Sequence, residues 1–262
     1  GAVVNLANQS LNAGSALGHI LTQIENLEGS GFNDNFTGDG HANGLYGGAG
    51  NDWITPGAGN DTVDGGSGVD MVSFVDAAVR VVVDLGAHSA QSGGATKEIL
   101  NIENVTGSVF SDLITGDAGA NRLRGLGDYD WFVGSGGGDT FEGGTGRDTV
   151  AYSAATAGVS ARRLAKAGSV GQAMGDHYDS IENLTGSSYA DQLSGDNDRN
   201  ILRGLAGDDF IFGLDGNDTI DGGAGRDTID GGRGNDRITG GRGNDAMDGG
   251  LGWDTAIYSG KK

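Results

Sequence analysis

A glycine-rich stretch of nine residues recurs along this chain, and its period is unbroken in the C-terminal third. It is clearest at 222–230 (GGAGRDTID), 231–239 (GGRGNDRIT) and 240–248 (GGRGNDAMD). Each copy fits the pattern G-G-x-G-x-D-x-U-x, in which U is a large apolar residue. Repetition at a fixed short period is typical of stacked structural units and not of a single globular core. The chain is therefore expected to fold by stacking many short, similar units.

Eighteen copies fall into three blocks of five, five and eight, at 29–73, 107–151 and 186–257. The eighth position is apolar in every copy, although only 36% of the chain is hydrophobic. The sixth position is Asp in fifteen copies and Asn in the second copy of each block: Asn43, Asn121 and Asn200. Glycine supplies 54 of 262 residues, which alone would suggest a flexible linker. A linker has no reason to place an apolar residue every nine positions, so the repeats predict an ordered core.

Each block follows the same short phrase, Ile-Glu-Asn and then Leu or Val, at 24–27, 102–105 and 181–184. We interpret these phrases as degenerate lead-in rungs, and favour a capping role over metal ligation for Glu25, Glu103 and Glu182. The chain is expected to be cut from a longer array. The predicted organisation is a partial spacer with a lead-in rung at 1–28, block 1 at 29–73, a spacer at 74–106, block 2 at 107–151, a spacer at 152–185, block 3 at 186–257, and the start of a next spacer or a tag at 258–262.

Charge and composition exclude several classes of function. Acidic residues outnumber basic ones 36 to 16, giving a net charge of −20, which disfavours nucleic acid as a partner. The absence of cysteine excludes disulfides and thiolate zinc sites. No run approaches the roughly 18 apolar residues of a transmembrane segment. Neither an HExxH motif nor a nucleophile with a paired base is present, so the chain itself is predicted to be non-catalytic, although a parent protein could carry an enzyme domain.

The repeat places oxygen ligands where a metal ion could be held. Glycines at positions one, two and four permit backbone angles closed to other residues, so that carbonyl oxygens can be aimed at one point, and the sixth residue adds a carboxylate. Positions seven to nine suit a short strand with one side chain inward. Two nonapeptides would form one coil, so turns n and n+2 would stack about 4.8 Å apart. An all-oxygen shell between them suits Ca²⁺ better than zinc or copper.

These motifs resemble the RTX, or haemolysin-type, calcium-binding repeat family, and the resemblance covers all three blocks. It implies an all-β fold, a right-handed parallel β-roll (a β-solenoid), with blocks joined by strand and loop spacers. It also implies secretion of a larger parent protein from a Gram-negative bacterium by type I secretion machinery. The expected location is extracellular, or associated with the cell surface. Folding is then expected to be triggered by extracellular calcium.

Six pairs of turns keep glycine at position four in both members and form the firmer predicted sites, while all n and n+2 pairs give at most twelve. The six pairs, named by their sixth residues, are Asp52 with Asp70, Asn121 with Asp139 (the weakest), Asp209 with Asp227, Asp218 with Asp236, Asp227 with Asp245, and Asp236 with Asp254. The predicted metal-binding residues are Asp52, Asp61, Asp70, Asp130, Asp139, Asp148, Asp209, Asp218, Asp227, Asp236, Asp245 and Asp254, with Gly48, Gly50, Gly66, Gly68, Gly223, Gly225, Gly232, Gly234, Gly241 and Gly243.

Some turns depart from the pattern and are expected to cap or underfill their sites. Position four is Phe32, Phe110 or Tyr189 in the first turn of each block, and Asp128 in the turn that begins at residue 125. In the first spacer, Val79, Val81, Val83 and Leu85 alternate with other residues and predict a half-buried strand. In the second spacer, which carries a basic cluster at Arg162, Arg163 and Lys166, a short helix between Ala154 and Lys166 is left open.

Two functions remain open from the sequence. The first is a calcium-dependent folding and secretion module. The alternative is a carbohydrate-binding accessory module of a secreted polysaccharide-modifying enzyme or adhesin, in which Arg226, Arg233 and Arg242 meet an acidic polysaccharide or cell-surface glycan. Balancing of the acidic surface is the favoured role for these arginines, and packing or plain exposure for Trp53, Trp131 and Trp253.

Overall fold

The computed structural model describes residues 1–164 and 167–258, and the fold of this part of the chain is a parallel β-solenoid, as predicted. Its helices are the short 3₁₀ segments Gln9–Leu11 and Gly171–Ala173. None of the helices in the described ranges has the length and apolarity needed to cross a membrane. The chain divides into two compact units, one of residues 1–117 and 121–130, the other of 118–120 and 131 onward. This division runs through predicted block 2, and the predicted block boundaries stay predictions.

The strands of the first unit lie in two sheets, ordered β2-β1-β4-β6-β8-β12-β14 and β13-β9-β10-β11-β7-β5-β3. Their bounds are β1 Ala2–Asn5, β2 Ala13–Gly14, β3 Asn26–Glu28, β4 Asn35–Thr37, β5 Gly44–Ala49, β6 Trp53–Thr55, β7 Thr62–Ser67, β8 Met71–Ser73, β9 Val81–Asp84, β10 Ser89–Ser92, β11 Ala95–Leu100, β12 Asn104–Thr106, β13 Leu113–Thr115 and β14 Arg122–Asp128.

The second unit has the strand orders β16-β20-β19-β18-β22-β24-β26-β28 and β29-β27-β25-β23-β21-β17-β15. Their bounds are β15 Trp131–Val133, β16 Thr140–Gly146, β17 Thr149–Ala151, β18 Ser160–Arg162, β19 Ala167–Val170, β20 His177–Asp179, β21 Asn183–Thr185, β22 Gln192–Ser194, β23 Ile201–Ala206, β24 Phe210–Phe212, β25 Thr219–Ala224, β26 Thr228–Asp230, β27 Arg237–Arg242, β28 Ala246–Asp248 and β29 Thr255–Ile257.

The register of the parallel strands fixes two nonapeptides per coil. In the second unit Leu202 lies opposite Ile220, and Ile220 lies opposite Ile238, so each step is eighteen residues. The first unit shows the same step, from Leu45 to Val63. Successive nonapeptides therefore alternate between the two sheets, and turns n and n+2 stack on one flank as the repeat predicts.

The eighth residue of each nonapeptide builds the core because it is the one side chain of each short strand that points inward. From Phe36 to Ile238 these residues are buried, with at most 3% of their surface exposed. Met247 is half-buried and Ala256 is exposed, in the last described coil. In the second unit, the rings of Phe132, Phe141 and Tyr178 pack against one another, with centroids 5.7 and 6.0 Å apart. The core is thus a column of single inward residues.

The first spacer continues the stack as an antiparallel meander. Strands β9, β10 and β11 pair antiparallel with one another, while β11 pairs parallel with β7 and β9 pairs parallel with β13. Val81, Val83 and Leu85 are buried as the alternation predicts, whereas Val79 precedes the strand and is exposed. The spacer therefore adds strands to one sheet without breaking its column.

The second spacer has a similar arrangement. Strands β18 and β19 pair antiparallel, β19 meets β20 antiparallel, and β18 and β20 pair parallel with β22 and β16. Residues 154–164 form no helix. Ala165 and Lys166, which complete the stretch left open for a helix, lie outside the described residues, as do residues 259–262 of the last predicted segment.

Candidate metal centres

Where a turn has glycine at positions two and four, both backbone angle and space favour it. The φ angles of Gly232 and Gly234 are 97° and 135°, in the region that favours glycine. A Cβ atom on Gly232 would lie 1.9 Å from the carbonyl oxygen of Leu214, one coil earlier, and one on Gly234 would lie 1.4 Å from that of Gly216. The same positive angles, from 95° to 150°, occur at Gly48, Gly50, Gly66, Gly68, Gly223, Gly225, Gly232, Gly234, Gly241 and Gly243.

Position one was expected to need glycine for its backbone angle, and that reason was wrong. Glycines there, such as Gly222, do not adopt the positive φ angles of positions two and four. They are required for space, because a Cβ atom on Gly222 would lie 2.4 Å from Oδ2 of Asp227 and 2.7 Å from the carbonyl oxygen of Gly240. The carboxylate of one turn and the first carbonyl of the next turn on that flank thus converge on one gap. The same convergence occurs at Gly47, Gly204, Gly213 and Gly231.

One oxygen of the sixth-position carboxylate forms a hydrogen-bond ladder along the flank in the regular turns. Oδ1 of Asp227 accepts a hydrogen bond from the backbone N–H of Asp209, eighteen residues earlier, at 3.0 Å. Oδ1 of Asp70 accepts from the N–H of Asp52 at 2.7 Å. This bond satisfies a buried backbone donor. It is a structural role that the sequence pattern did not reveal, since metal ligation alone already explained the Asp.

The other oxygen, Oδ2, is buried and has no hydrogen-bond partner among the described residues. This holds in both units, and the side chains concerned belong to residues at most 2% exposed: Asp52, Asp70, Asp209, Asp218, Asp227 and Asp236. A buried carboxylate oxygen without a donor or cation is costly. A carbonyl oxygen of the next turn lies beside the same gap, so a cation there would contact both oxygens. A hard cation with oxygen ligands fits this position.

Burial also raises the pKa of these carboxyl groups. Desolvation, opposed by the hydrogen bond from Asp191 N–H, raises the pKa of Asp209 to about 7, with a contribution from the neighbouring carboxylates Asp191 and Asp227. Desolvation likewise raises the pKa of Asp218 to about 7, with Asp236 adding to it. The pKa values of Asp52, Asp70, Asp227 and Asp236 are raised for the same reason. Without metal, Asp209 and Asp218 would therefore be partly protonated near neutral pH.

The raised pKa values predict how the metal-free chain responds to pH. An unfolded Asp titrates near 4, so folding raises the pKa of Asp209 and Asp218. Their protonation then stabilises the metal-free fold fully below about pH 4, and this contribution is lost as the pH rises through about 7. Calcium-free samples are expected to keep more β signal in far-UV circular dichroism at pH 5 than at pH 8. The double variant Asp209→Asn, Asp218→Asn should show a smaller difference, and a wild-type signal that is flat between these pH values would contradict the prediction.

The first turn of each block satisfies its carboxylate with protein donors. Asp191 accepts hydrogen bonds from Ser187 N–H at 2.5 Å, Ser187 Oγ at 2.8 Å and Val159 N–H at 2.7 Å. Asp112 is held in the same way by Ser108 and Val81. The sequence signal is the Ser that replaces glycine at position two. These carboxylates have donors for both oxygens, so they need no cation.

In the lead-in rungs and in the second turn of block 3, Glu or Asn stands at the sixth position in place of Asp. Oε2 of Glu103 accepts from Asp70 N–H at 2.7 Å, and Oε2 of Glu182 accepts from Asp148 N–H at 2.8 Å, which extends the ladder of the sixth position. In the second turn of block 3, the side-chain amide of Asn200 donates to the carbonyl oxygen of Glu182 at 3.0 Å. An amide donor therefore stands where an Asp would present an acceptor.

The remaining predicted ligands differ in their surroundings. Asp245 is half-buried and Asp254 is exposed, although their Oδ1 atoms accept ladder bonds from Asp227 and Asp236 at 3.1 and 2.9 Å. Oδ2 of Asp61 is paired with Lys97. Asp130, Asp139 and Asp148 are buried. Asn121 and Asp139 belong to different units, and their pairing stays a prediction.

In the described ranges, no three His, Cys, Asp or Glu side chains group closely enough to share a metal ion. The stacked glycine turns bring backbone carbonyl oxygens beside Oδ2 of the sixth residue, where they could complete the shell of a calcium ion. The arginines of the carbohydrate-binding alternative are exposed, and Arg226 lies 3.5 Å from Asp208, as expected for charge balance. Trp253 is 89% exposed and Trp53 and Trp131 are each 38% exposed.

Loss of one unpartnered oxygen is expected to weaken calcium binding strongly. Asp227→Asn keeps an Oδ1 acceptor for the ladder bond but removes the charge from two predicted sites. Removing one member of a buried charged pair costs on the order of 2–5 kcal/mol, so the calcium midpoint for folding should rise tenfold or more. Asp230→Asn removes an exposed charge from the same repeat and should change the midpoint less than twofold. Equal midpoints for the two variants in a circular dichroism titration would contradict the assignment.

A comparison with protein families agrees with this geometry. A family model described as the RTX calcium-binding nonapeptide repeat (4 copies) matches residues 22–54, 37–72, 102–132, 115–150, 185–220, 194–229 and 221–256. These matches fall on all three blocks and together cover more than half of the chain. No curated protein matches the chain. With buried carboxylate oxygens that lack a partner and turns that stack their carbonyls, the chain belongs to the family of RTX calcium-binding nonapeptide-repeat proteins.

Proposed function

We propose that this calcium-binding module is folded by extracellular calcium and thereby supports the secretion and the extracellular stability of a larger protein. The observation that carries the proposal is the row of buried Oδ2 atoms without partners, at Asp209, Asp218, Asp227 and Asp236 in the second unit and at Asp52 and Asp70 in the first. RTX repeats are typical of secreted bacterial proteins. A type I secretion route and a cell-surface location are part of the same proposal.

Calcium is proposed to bind between turns n and n+2 of one flank. In each gap the ligands are the sixth-position carboxylates and the carbonyl oxygens of the glycine turns. The six pairs named from the sequence are the firmer sites, and twelve is the upper limit. Six to twelve divalent ions would carry +12 to +24 against the chain's net charge of −20. Bound calcium would therefore offset most of the repulsion within the fold.

Folding without the ion is unfavourable because the stabilising contacts of each coil are few. Two carboxylates about 4 Å apart at an effective dielectric constant of ~20 repel by on the order of 4 kcal/mol. Burial of one aliphatic residue per nonapeptide contributes only about 1.5–3 kcal/mol, whereas ordering each residue costs about 1–2 kcal/mol of backbone entropy. Metal binding and folding are then one event. A chain that stays unfolded where calcium is scarce is suited to pass through a narrow secretion channel.

The experiment that tests this function is removal of calcium from the folded chain, followed by far-UV circular dichroism. Loss of the β signal on chelation and its return with calcium support the proposal. A chelated sample that keeps its β signal at neutral pH contradicts it.

A further inference from the structure

Lys97 lies in the first spacer at a position equivalent to the metal-binding Asp of a repeat. Its strand, β11, continues the coil beyond β7, with Glu98 opposite Thr62 and Ile99 opposite Val63. The N–H of Glu98 donates to the carbonyl of Asp61 at 2.9 Å, just as the N–H of Thr62 donates to that of Asn43. Within the nonapeptide frame, Ile99 is the buried eighth residue and Lys97 is the sixth.

The ammonium of Lys97 meets the oxygen that lacks a partner in other turns. Its Nζ atom lies 2.7 Å from Oδ2 of Asp61 and 2.7 Å from the carbonyl oxygen of Gly59, the fourth residue of the same turn. Both side chains of this ion pair are fully buried. Oδ1 of Asp61 accepts the usual ladder bond, from Asn43 N–H at 2.9 Å. The cation thus contacts the two kinds of oxygen, carboxylate and turn carbonyl, that a repeat offers to metal.

We propose that Lys97 is a built-in cation that takes the place of one calcium ion at the end of this flank of block 1. The proposal rests on the proposed function, since it assumes that equivalent gaps between repeats hold calcium. A lysine is suited to this role because its ammonium is a compact point charge with three donors. In the last turn of this flank, the ammonium of Lys97 then neutralises Asp61, and the sixth position of the spacer rung carries a lysine where a repeat carries a carboxylate.

The second spacer supplies an independent parallel, although with a neutral donor. Asp176, at the sixth position of its own rung, accepts the ladder bond from Asp139 N–H at 2.7 Å. Its Oδ2 accepts a hydrogen bond from the Tyr152 hydroxyl at 2.5 Å. Both spacers therefore bring a protein donor to the oxygen that is left without a partner between repeats. This favours a protein group that replaces the metal ion over an incidental ion pair.

The test restores the carboxylate of the repeat. Lys97→Asp presents a second carboxylate to Asp61 and should bind one more calcium ion per chain than the wild type in equilibrium dialysis. Lys97→Ala, which removes the ammonium and leaves room, should gain the same ion with lower affinity. Lys97→Met fills the space without charge and should gain no ion. It should also melt roughly 10 °C lower in saturating calcium, because it leaves the Asp61 carboxylate buried without a counter-charge.

The proposal is wrong if both Lys97→Asp and Lys97→Ala keep the wild-type number of bound ions, or if Lys97→Met melts at the wild-type temperature. A wild-type chain that binds no calcium would instead overturn the proposed function. In that case the difference in melting temperature between the wild type and Lys97→Met still reports how much the Lys97–Asp61 pair stabilises the fold. The two failures are therefore distinguishable.

Discussion

Removal of calcium is expected to abolish most of the β structure of this chain at neutral pH. The described turns leave Oδ2 of Asp209, Asp218, Asp227 and Asp236 buried without a partner along neighbouring coils, and each would carry repulsion once deprotonated. Because each coil contacts only its neighbours, loss of the ions on one flank removes support from every coil in the column. The chelated chain should expand to a radius of gyration on the order of 55 Å, the value for an unfolded chain of this length.

Far-UV circular dichroism and small-angle scattering measure the two parts of this expectation. Calcium added back should restore the β signal in one cooperative transition. Magnesium is the matched control, since it demands near-octahedral geometry and gives up its water reluctantly. Magnesium that restores the signal at the same concentration would contradict a calcium-specific shell, and a compact chelated chain would contradict coupled folding.

A methyl group at one fourth-position glycine is expected to be among the most damaging small substitutions. In Gly234→Ala, the new Cβ would lie 1.4 Å from the carbonyl oxygen of Gly216, and the φ angle of 135° is one that alanine rarely adopts. The neighbouring backbone must move, which distorts the stacked turns that carry Asp218 and Asp236. We expect a loss of about 3 kcal/mol or more in the free energy of unfolding in saturating calcium.

Gly136→Ala is the matched control in the same unit. Gly136 occupies position three of its turn, where an added Cβ has no neighbour within 4 Å and φ is not positive. This variant should lie within about 1 kcal/mol of the wild type, with a tendency to stabilise because the unfolded chain loses freedom. Denaturant unfolding of both variants checks the difference. Similar losses for the two would mean that the stacked carbonyls do not confine position four.

The sequence predicts the core and the coil better than it predicts the turns. One apolar residue every nine fixes which side chain points inward, so the burial of Leu202, Ile220 and Ile238 follows directly from the pattern. The glycine pattern alone does not show whether a position needs glycine for a positive φ angle or because a Cβ atom would have no room. Position one is confined by neighbouring atoms, such as Oδ2 of Asp227 and the carbonyl oxygen of Gly240 beside Gly222, which a pattern cannot show. At position two, Leu126, Leu205 and Leu214 adopt φ angles of 78° to 88°, a conformation that no residue preference would assign to leucine.

The spacers were harder to predict because they do not repeat. Alternation at Val81, Val83 and Leu85 indicates a strand, but nothing in it shows that β9, β10 and β11 turn back on one another. Lys97 was missed for a similar reason. Its frame becomes visible only when Ile99 is seen opposite Val63, since Ser92 and Ala95 stand where the repeat has glycine at positions one and four. The roles of Ser108 and Ser187 likewise depend on contacts with Asp112 and Asp191 that are made only in the folded turn.

The serine-bearing first turns have a consequence for alignment. Interior nonapeptides are nearly interchangeable. A displacement by one whole coil, eighteen residues, would therefore pair almost identical side chains and raise the free energy only a little. Asp191, in the serine-bearing first turn of block 3, accepts a hydrogen bond from the backbone N–H of Val159 in the second spacer, and a third block displaced by one coil would lose that contact. Such non-repeating contacts therefore fix the register of the strands. They make one alignment of a repetitive sequence lower in free energy than the alignments shifted by a coil.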